Sequence, residues 1–156
     1  MKKKLIDFIA TFCFSGNLPV FPGTWASFFT LFLGYYFLQG EFFLNYLFLL
    51  YFILVIGTWA ATEYDKMHKT HDSSRIVIDE VAGQLISLLP LFFGARSSVI
   101  YYVIGFVLFR FFDITKILGI NKLQKLPKGV GVMADDVLAG VYSAIILGGI
   151  QCIFLG

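Results

Sequence analysis

FFLNYLFLLYFILVIGTWAA, residues 42–61, decides the fold class. Its 20 residues carry no charge. Wound as an α-helix they extend about 30 Å, one hydrocarbon thickness of a bilayer. Working outward, three further apolar runs follow at residues 76–93, 99–112 and 137–155. The run at 76–93 is interrupted by Asp79, Glu80 and Gln84, and the run at 99–112 includes Arg110. A shorter run, residues 25–38, follows a loop containing Pro19 and Pro22. It reads as a span supported by its neighbours or as a re-entrant helix.

Composition points the same way. Of 156 residues, 58% are hydrophobic and 14% charged, against about 45–50% and about 25% in an average soluble domain. A domain of this size leaves much of its surface exposed, so 19 Phe and 8 Tyr call for lipid around them. The expectation is an all-α, polytopic membrane bundle of four or five spans, one domain over residues 1–156. Two cysteines, Cys13 and Cys152, are too few for a disulfide framework. A net charge of +2 gives no sign of a nucleic-acid partner.

Residues 1–14 read differently. Leu5, Ile6, Phe8, Ile9, Phe12 and Cys13 fall on one helical face behind Lys2, Lys3 and Lys4. That pattern predicts an amphipathic helix lying on an anionic leaflet. With the N-terminus cytoplasmic and the runs alternating, eleven of the 12 basic residues fall inside and only Arg96 outside. This is a positive-inside bias.

Nine of the ten acidic residues fall on or near the same cytoplasmic side. Asp79, Glu80, Asp135 and Asp136 stand apart, because they open or lie just within apolar helices. An ionisable group deep in a span costs about 2.5–3.5 kcal/mol on insertion scales, and adjacent carboxylates repel. A hard divalent cation with oxygen ligands, Mg²⁺, relieves both costs. One turn on from these pairs stand Gly83 with Gln84, and Ala139 with Gly140. Such small residues let two helices approach closely, so both carboxylate pairs are expected to converge on one metal site. Asp79, Glu80, Asp113 and Asp136 are the candidates for catalytic acid–base work.

Arg110, Asp113 and Lys116 recur at i, i+3 and i+6, which places them on one helical face. An Arg fork with a Lys point charge suits a phosphate. Thr24, at the start of the 25–38 helix, reads as an N-cap or as a phosphate-facing hydroxyl. Gly129, in the Lys128–Gly131 loop, would let backbone approach a ligand. His68 and His71 read as solvated loop residues.

Four blocks together resemble the phosphatidylglycerophosphatase A family: Pro22-Gly-Thr-Trp-Ala-Ser27; His71-Asp72 with Ile76-Val-Ile-Asp-Glu-Val-Ala-Gly83; Gly105-Phe-Val-Leu-Phe-Arg-Phe-Phe-Asp-Ile-Thr-Lys116; and Gly129-Val-Gly-Val-Met-Ala-Asp-Asp-Val-Leu-Ala-Gly140. They occur in order over nearly the whole chain. The resemblance implies a Mg²⁺-dependent lipid phosphatase of the bacterial cytoplasmic membrane, converting phosphatidylglycerol phosphate to phosphatidylglycerol and phosphate with its active site facing the cytoplasm. It also implies that Asp72 is a metal ligand or orients one. A different class, a small ion transporter or channel subunit, would use intramembrane carboxylates too, but would need polar groups along the whole depth.

Overall fold

A computed structural model describes residues 2–70, 73–94, 98–124 and 126–155. Among the described residues the chain is helical, with no strand. The helices are α1 (Lys2–Ala10), α2 (Pro22–Gln39), α3 (Phe43–His68), α4 (Ile78–Leu88), α5 (Val99–Thr115), the short α6 (Ile120–Leu123) and α7 (Gly129–Leu155), with 3₁₀ turns at Ser15–Asn17 and Leu89–Phe93.

Helix α4 is the axis of the bundle. Every residue on it except Glu80 is buried, and α2, α3, α5 and α7 pack around it. Its closest partner is α7, and small residues are the reason. A Cβ on Gly140 would lie 2.4 Å from the Gly83 carbonyl oxygen, and one on Gly83 would lie 2.5 Å from the Asp136 carbonyl oxygen. The two backbones therefore touch at Gly83 and Gly140, as the small-residue spacing predicts. Asp79 lies one turn before Gly83, and Asp136 one turn before Gly140, so both acids emerge at the same end of the crossing.

Large apolar side chains cover the outside. Phe48 is 73% exposed, Phe93 79% and Ile153 76%, and α2 and α5 present Phe32, Tyr36, Val103 and Val107 outward. A contiguous surface of this kind is foreign to a water-soluble monomer. Among the described residues two helices, α3 and α7, are long and apolar enough to cross a bilayer. Helices α2 and α5 have 18 and 17 residues, the lower limit for a span. The run at 76–93 divides into an 11-residue α4 and the 3₁₀ turn at Pro90, since proline cannot continue the α-helical hydrogen bonding.

The N-terminal segment departs from expectation. Helix α1 ends at Ala10, and Phe12, Cys13 and Phe14 all adopt positive φ. Its apolar residues divide between two environments. Ile6 and Ala10 bury into the core against α3, while Leu5 and Phe8 stay exposed. The Val77 N–H, just ahead of α4, donates to the Ala10 carbonyl at 3.0 Å, tying α1 to the entry of the central helix.

Candidate active site

Helices α2, α4, α5 and α7 meet around a polar cavity of about 270 Å³. Asp79, Glu80, Arg110, Asp113, Lys116, Asp135 and Asp136 all line it, with Pro22 and Gly23 from α2 and Ser73 and Ser74 from the loop before α4. Seven candidates that the sequence scatters over 58 positions thus share one chamber. Asp72, the remaining metal candidate, and His71 lie outside the described residues.

Local structure explains each placement. Asp79 and Glu80 occupy the first turn of α4, where the positive end of the helix dipole favours carboxylates. The Asp79 Oδ1 also accepts the Glu80 N–H at 2.9 Å. Arg110 and Asp113 stack at i, i+3 on α5 and form an ion pair at 2.7 Å. The Arg110 Nη1 also donates to the Glu80 carboxylate, bridging α5 to α4. Lys116 is the left-handed C-cap of α5, φ 46°, not part of its helical face. The turn it makes brings its ammonium onto the Asp135 carboxylate of α7. Burial by itself would lower the Lys116 pKa. The hydrogen bond to Asp135 and the charges of Asp135, Asp136 and Asp113 outweigh it and hold the pKa above its ordinary value.

Two expected residues sit elsewhere. Thr24 is neither the N-cap of α2 nor a wall of the cavity. Phe21 holds the N-cap position in left-handed backbone, φ 48°, and Pro22 opens the helix, as proline's fixed φ allows. Gly129 begins α7, and its N–H donates to Thr62 Oγ1 at 3.0 Å. A Cβ there would come within 2.3 Å of the Thr58 carbonyl. Gly129 therefore serves close packing of α7 on α3, and the cavity does not include it.

The Pro22–Ser27 block does not by itself reveal which residues α2 meets. The Ser27 Oγ lies 3.0 Å from Glu80 Oε2 and 3.0 Å from the Gly23 carbonyl. Gly23 leaves the space that the Glu80 carboxylate fills: a Cβ there would stand 1.4 Å from Glu80 Oε1. Ser27 and Glu80 are 53 positions apart, and no local pattern announces their contact. Ser73 and Ser74 also line the cavity without any signal in sequence beyond their small polar character.

The chamber carries five carboxylates against two cations, a formal excess of three negative charges when all are ionised. Among the described residues, no three His, Cys, Asp or Glu converge tightly enough to hold a metal ion by themselves. The Arg110 Nε is buried and has no hydrogen-bond partner among the described residues. A buried orphan donor is uncommon, and here it belongs to the cation that bridges α4 and α5.

The sequence profile of the family Phosphatidylglycerophosphatase A matches residues 8–151. A Bacteroides thetaiotaomicron protein named as a candidate phosphatidylinositol-3-phosphatase is 47% identical over 92 residues, covering 58% of this chain and 56% of that protein. The chain thus matches just over half the length of that relative. Phosphatidylglycerophosphatase A of Haemophilus influenzae is 33% identical over 88% of this chain and 83% of its own length. The Escherichia coli protein of the same name is 32% identical over 85% and 76%. No solved structure gives a significant match. The profile spans both carboxylate pairs, Arg110 and Lys116, and two relatives above 30% identity cover most of the chain; the chain belongs to the phosphatidylglycerophosphatase A family of enzymes.

Proposed function

We propose that this protein hydrolyses the phosphomonoester of phosphatidylglycerol phosphate, with Mg²⁺, at the cytoplasmic leaflet of the bacterial inner membrane. The observation that carries this reading is the meeting of five carboxylates, Arg110 and Lys116 in one cavity. The donor set suits Mg²⁺. It is all oxygen, and its excess negative charge is costly without a cation. Mg²⁺ usually takes one or two carboxylates and fills its shell with waters and phosphate oxygens, so it does not need a closed triad of protein ligands. Asp79, Glu80, Asp135 and Asp136 line the cavity together, and Asp79 and Asp136, each one turn before the Gly83–Gly140 contact, are the ligands put to the test. When bound, the ion would neutralise phosphoryl oxygens and make water a better nucleophile.

The chain's own groups divide the remaining work. The Arg110 Nε and the Lys116 ammonium would donate to phosphoryl oxygens as charge spreads over them in a loose transition state. Asp113, held by Arg110, would accept the proton of the attacking water. Ser27 is fully buried with its hydroxyl between Gly23 and Glu80, which supports water over serine as nucleophile. The eleven-to-one basic asymmetry supports a cytoplasmic cavity, with α2 and α5 crossing beside α3 and α7 and the whole 76–93 segment, α4 with its 3₁₀ turn, as the fifth crossing. A cation pathway is less favoured, since the far half of the bundle packs Leu38, Leu88, Leu91, Tyr102 and Leu147.

The test is phosphate release by purified protein from phosphatidylglycerol phosphate, with Mg²⁺ and with EDTA. Release that requires Mg²⁺ supports the reading. Absence of release refutes the activity, and release unaffected by EDTA refutes the metal. Phosphatidylinositol 3-phosphate belongs beside it as a second substrate, given the name of the Bacteroides relative.

A further inference from the structure

A second cavity lies on the lipid-facing side, between α2 and α5. It measures about 350 Å³, and its walls are wholly apolar, formed by Phe28, Leu31, Phe32 and Tyr35 from α2 and by Tyr102 and Val103 among others from α5. The same two helices supply Pro22, Gly23, Arg110 and Asp113 to the polar cavity. On α2, Phe28 is five residues beyond Gly23, about 8 Å along the axis at 1.5 Å per residue. On α5, Val103 is seven residues before Arg110, about 10 Å. The two helices run antiparallel, so both displacements point the same way, from the polar end towards the middle of the bundle. Tyr35 and Tyr102 close the far part of the groove with rings 5.4 Å apart.

We infer that this groove holds an acyl chain of the lipid whose phosphate occupies the polar cavity. The inference rests on the lipid-phosphatase reading above and adds a determinant of chain recognition to it. Three observations commit the groove to that occupant. It shares its seam with the charged cavity, it begins about one and a half to two helical turns deeper, and its walls offer no polar surface to a headgroup or a peptide. A lipid tail is as apolar as the groove, so moving it there from bilayer gains little hydrophobic energy. What the groove supplies is registration: a chain seated between Phe28 and Tyr35 fixes how far the phosphomonoester reaches past Gly23 towards Arg110. Misplacement of a reacting group by about 1 Å can cost a hundredfold in rate.

The experiment compares kcat/KM for phosphatidylglycerol phosphate bearing palmitoyl chains with that bearing hexanoyl chains, in the same detergent micelles. Val103→Phe narrows the groove from α5, and Tyr35→Ala extends it at the closed end. In Val103→Phe the palmitoyl-to-hexanoyl ratio is expected to fall by about tenfold or more, because a palmitoyl chain must thread past the narrowed stretch while a hexanoyl chain engages only its start. In Tyr35→Ala the preference is expected to move towards longer chains. The ratio is internal to each preparation, so partial misfolding cancels, and either variant alone suffices if the other does not fold. An active enzyme whose ratio is unchanged in the folded variants overturns the groove assignment and leaves the activity standing. Lack of phosphate release by the unsubstituted protein from both lipids overturns the activity and the groove together.

Discussion

Gly23→Ala separates the chamber's chemistry from its architecture. The added Cβ would stand 1.4 Å from Glu80 Oε1 and 2.1 Å from Glu80 Cδ. Ordinary carbon contacts need about 3.5–4 Å, so the carboxylate must retreat by roughly 2 Å. That retreat breaks its 3.0 Å contact with Ser27 and its bridge to Arg110. One charge-assisted hydrogen bond is worth about 1.5–3 kcal/mol, which converts to about a tenfold to hundredfold loss in kcat/KM if Glu80 keeps Arg110 in place for the phosphate. The fold should survive. The obstructing atoms are the end of a flexible side chain, and alanine favours the first turn of α2 over glycine by up to about 1 kcal/mol. Phosphate release and thermal unfolding are measured on the same detergent preparation. The expected result is a depressed kcat/KM with cooperative unfolding retained and a modestly lowered Tm, because the lost Ser27 and Arg110 contacts outweigh the helix-propensity gain. A Gly23→Ala variant with wild-type kcat/KM would show that the position of Glu80 does not matter, and the Arg110–Glu80 bridge would lose its place in the mechanism.

Gly140→Ala should show chiefly in the unfolding assay. Its Cβ meets the Gly83 backbone at 2.4 Å, which cannot swing aside, so overpacking should cost about 1–3 kcal/mol and lower the Tm; an unchanged Tm would contradict the α4–α7 contact. Mg²⁺ should raise the Tm of the unsubstituted protein by mass action, and Asp79→Asn or Asp136→Asn should largely abolish that rise; a full rise in both places the ligands elsewhere. Lys116→Ala removes the cationic partner of a carboxylate only 2% exposed. It should lower kcat/KM by about tenfold to a thousandfold, and a double-mutant cycle with Asp135→Asn should show coupling of about 0.5–3 kcal/mol; additive effects would dissolve the pair. In a protein lacking Cys13 and Cys152, cysteine at Ser73 should react with a membrane-impermeant thiol reagent only from the cytoplasmic side, and cysteine at Glu41 only from the other. The opposite pattern would refute the orientation.

Much of this protein is determined by short-range features of its sequence. Apolar runs the length of a bilayer force helices, because a backbone surrounded by lipid must satisfy its own hydrogen bonds. A carboxylate pair inside such a run is conspicuous for the same reason, and Asp79, Glu80, Asp135 and Asp136 stand out without any knowledge of their neighbours. The glycines one turn beyond them mark where α4 and α7 touch. Other features depend on which helix faces which, and that is a property of packing. The α2 helix delivers Gly23 to Glu80, and Ser27 to the same carboxylate across 53 positions, and nothing local in the Pro22–Ser27 block says which residue it will meet. Lys116 reaches Asp135 because left-handed backbone ends α5 just there, and helical periodicity cannot foresee a turn at a non-glycine residue. Thr24 and Gly129 have the chemistry of a phosphate loop, yet the first does not line the cavity and the second packs on α3. Residue type and spacing determined which groups are costly enough to need a partner. The close crossing of α4 and α7, with α2 and α5 folded over its polar end, decided which partners they meet.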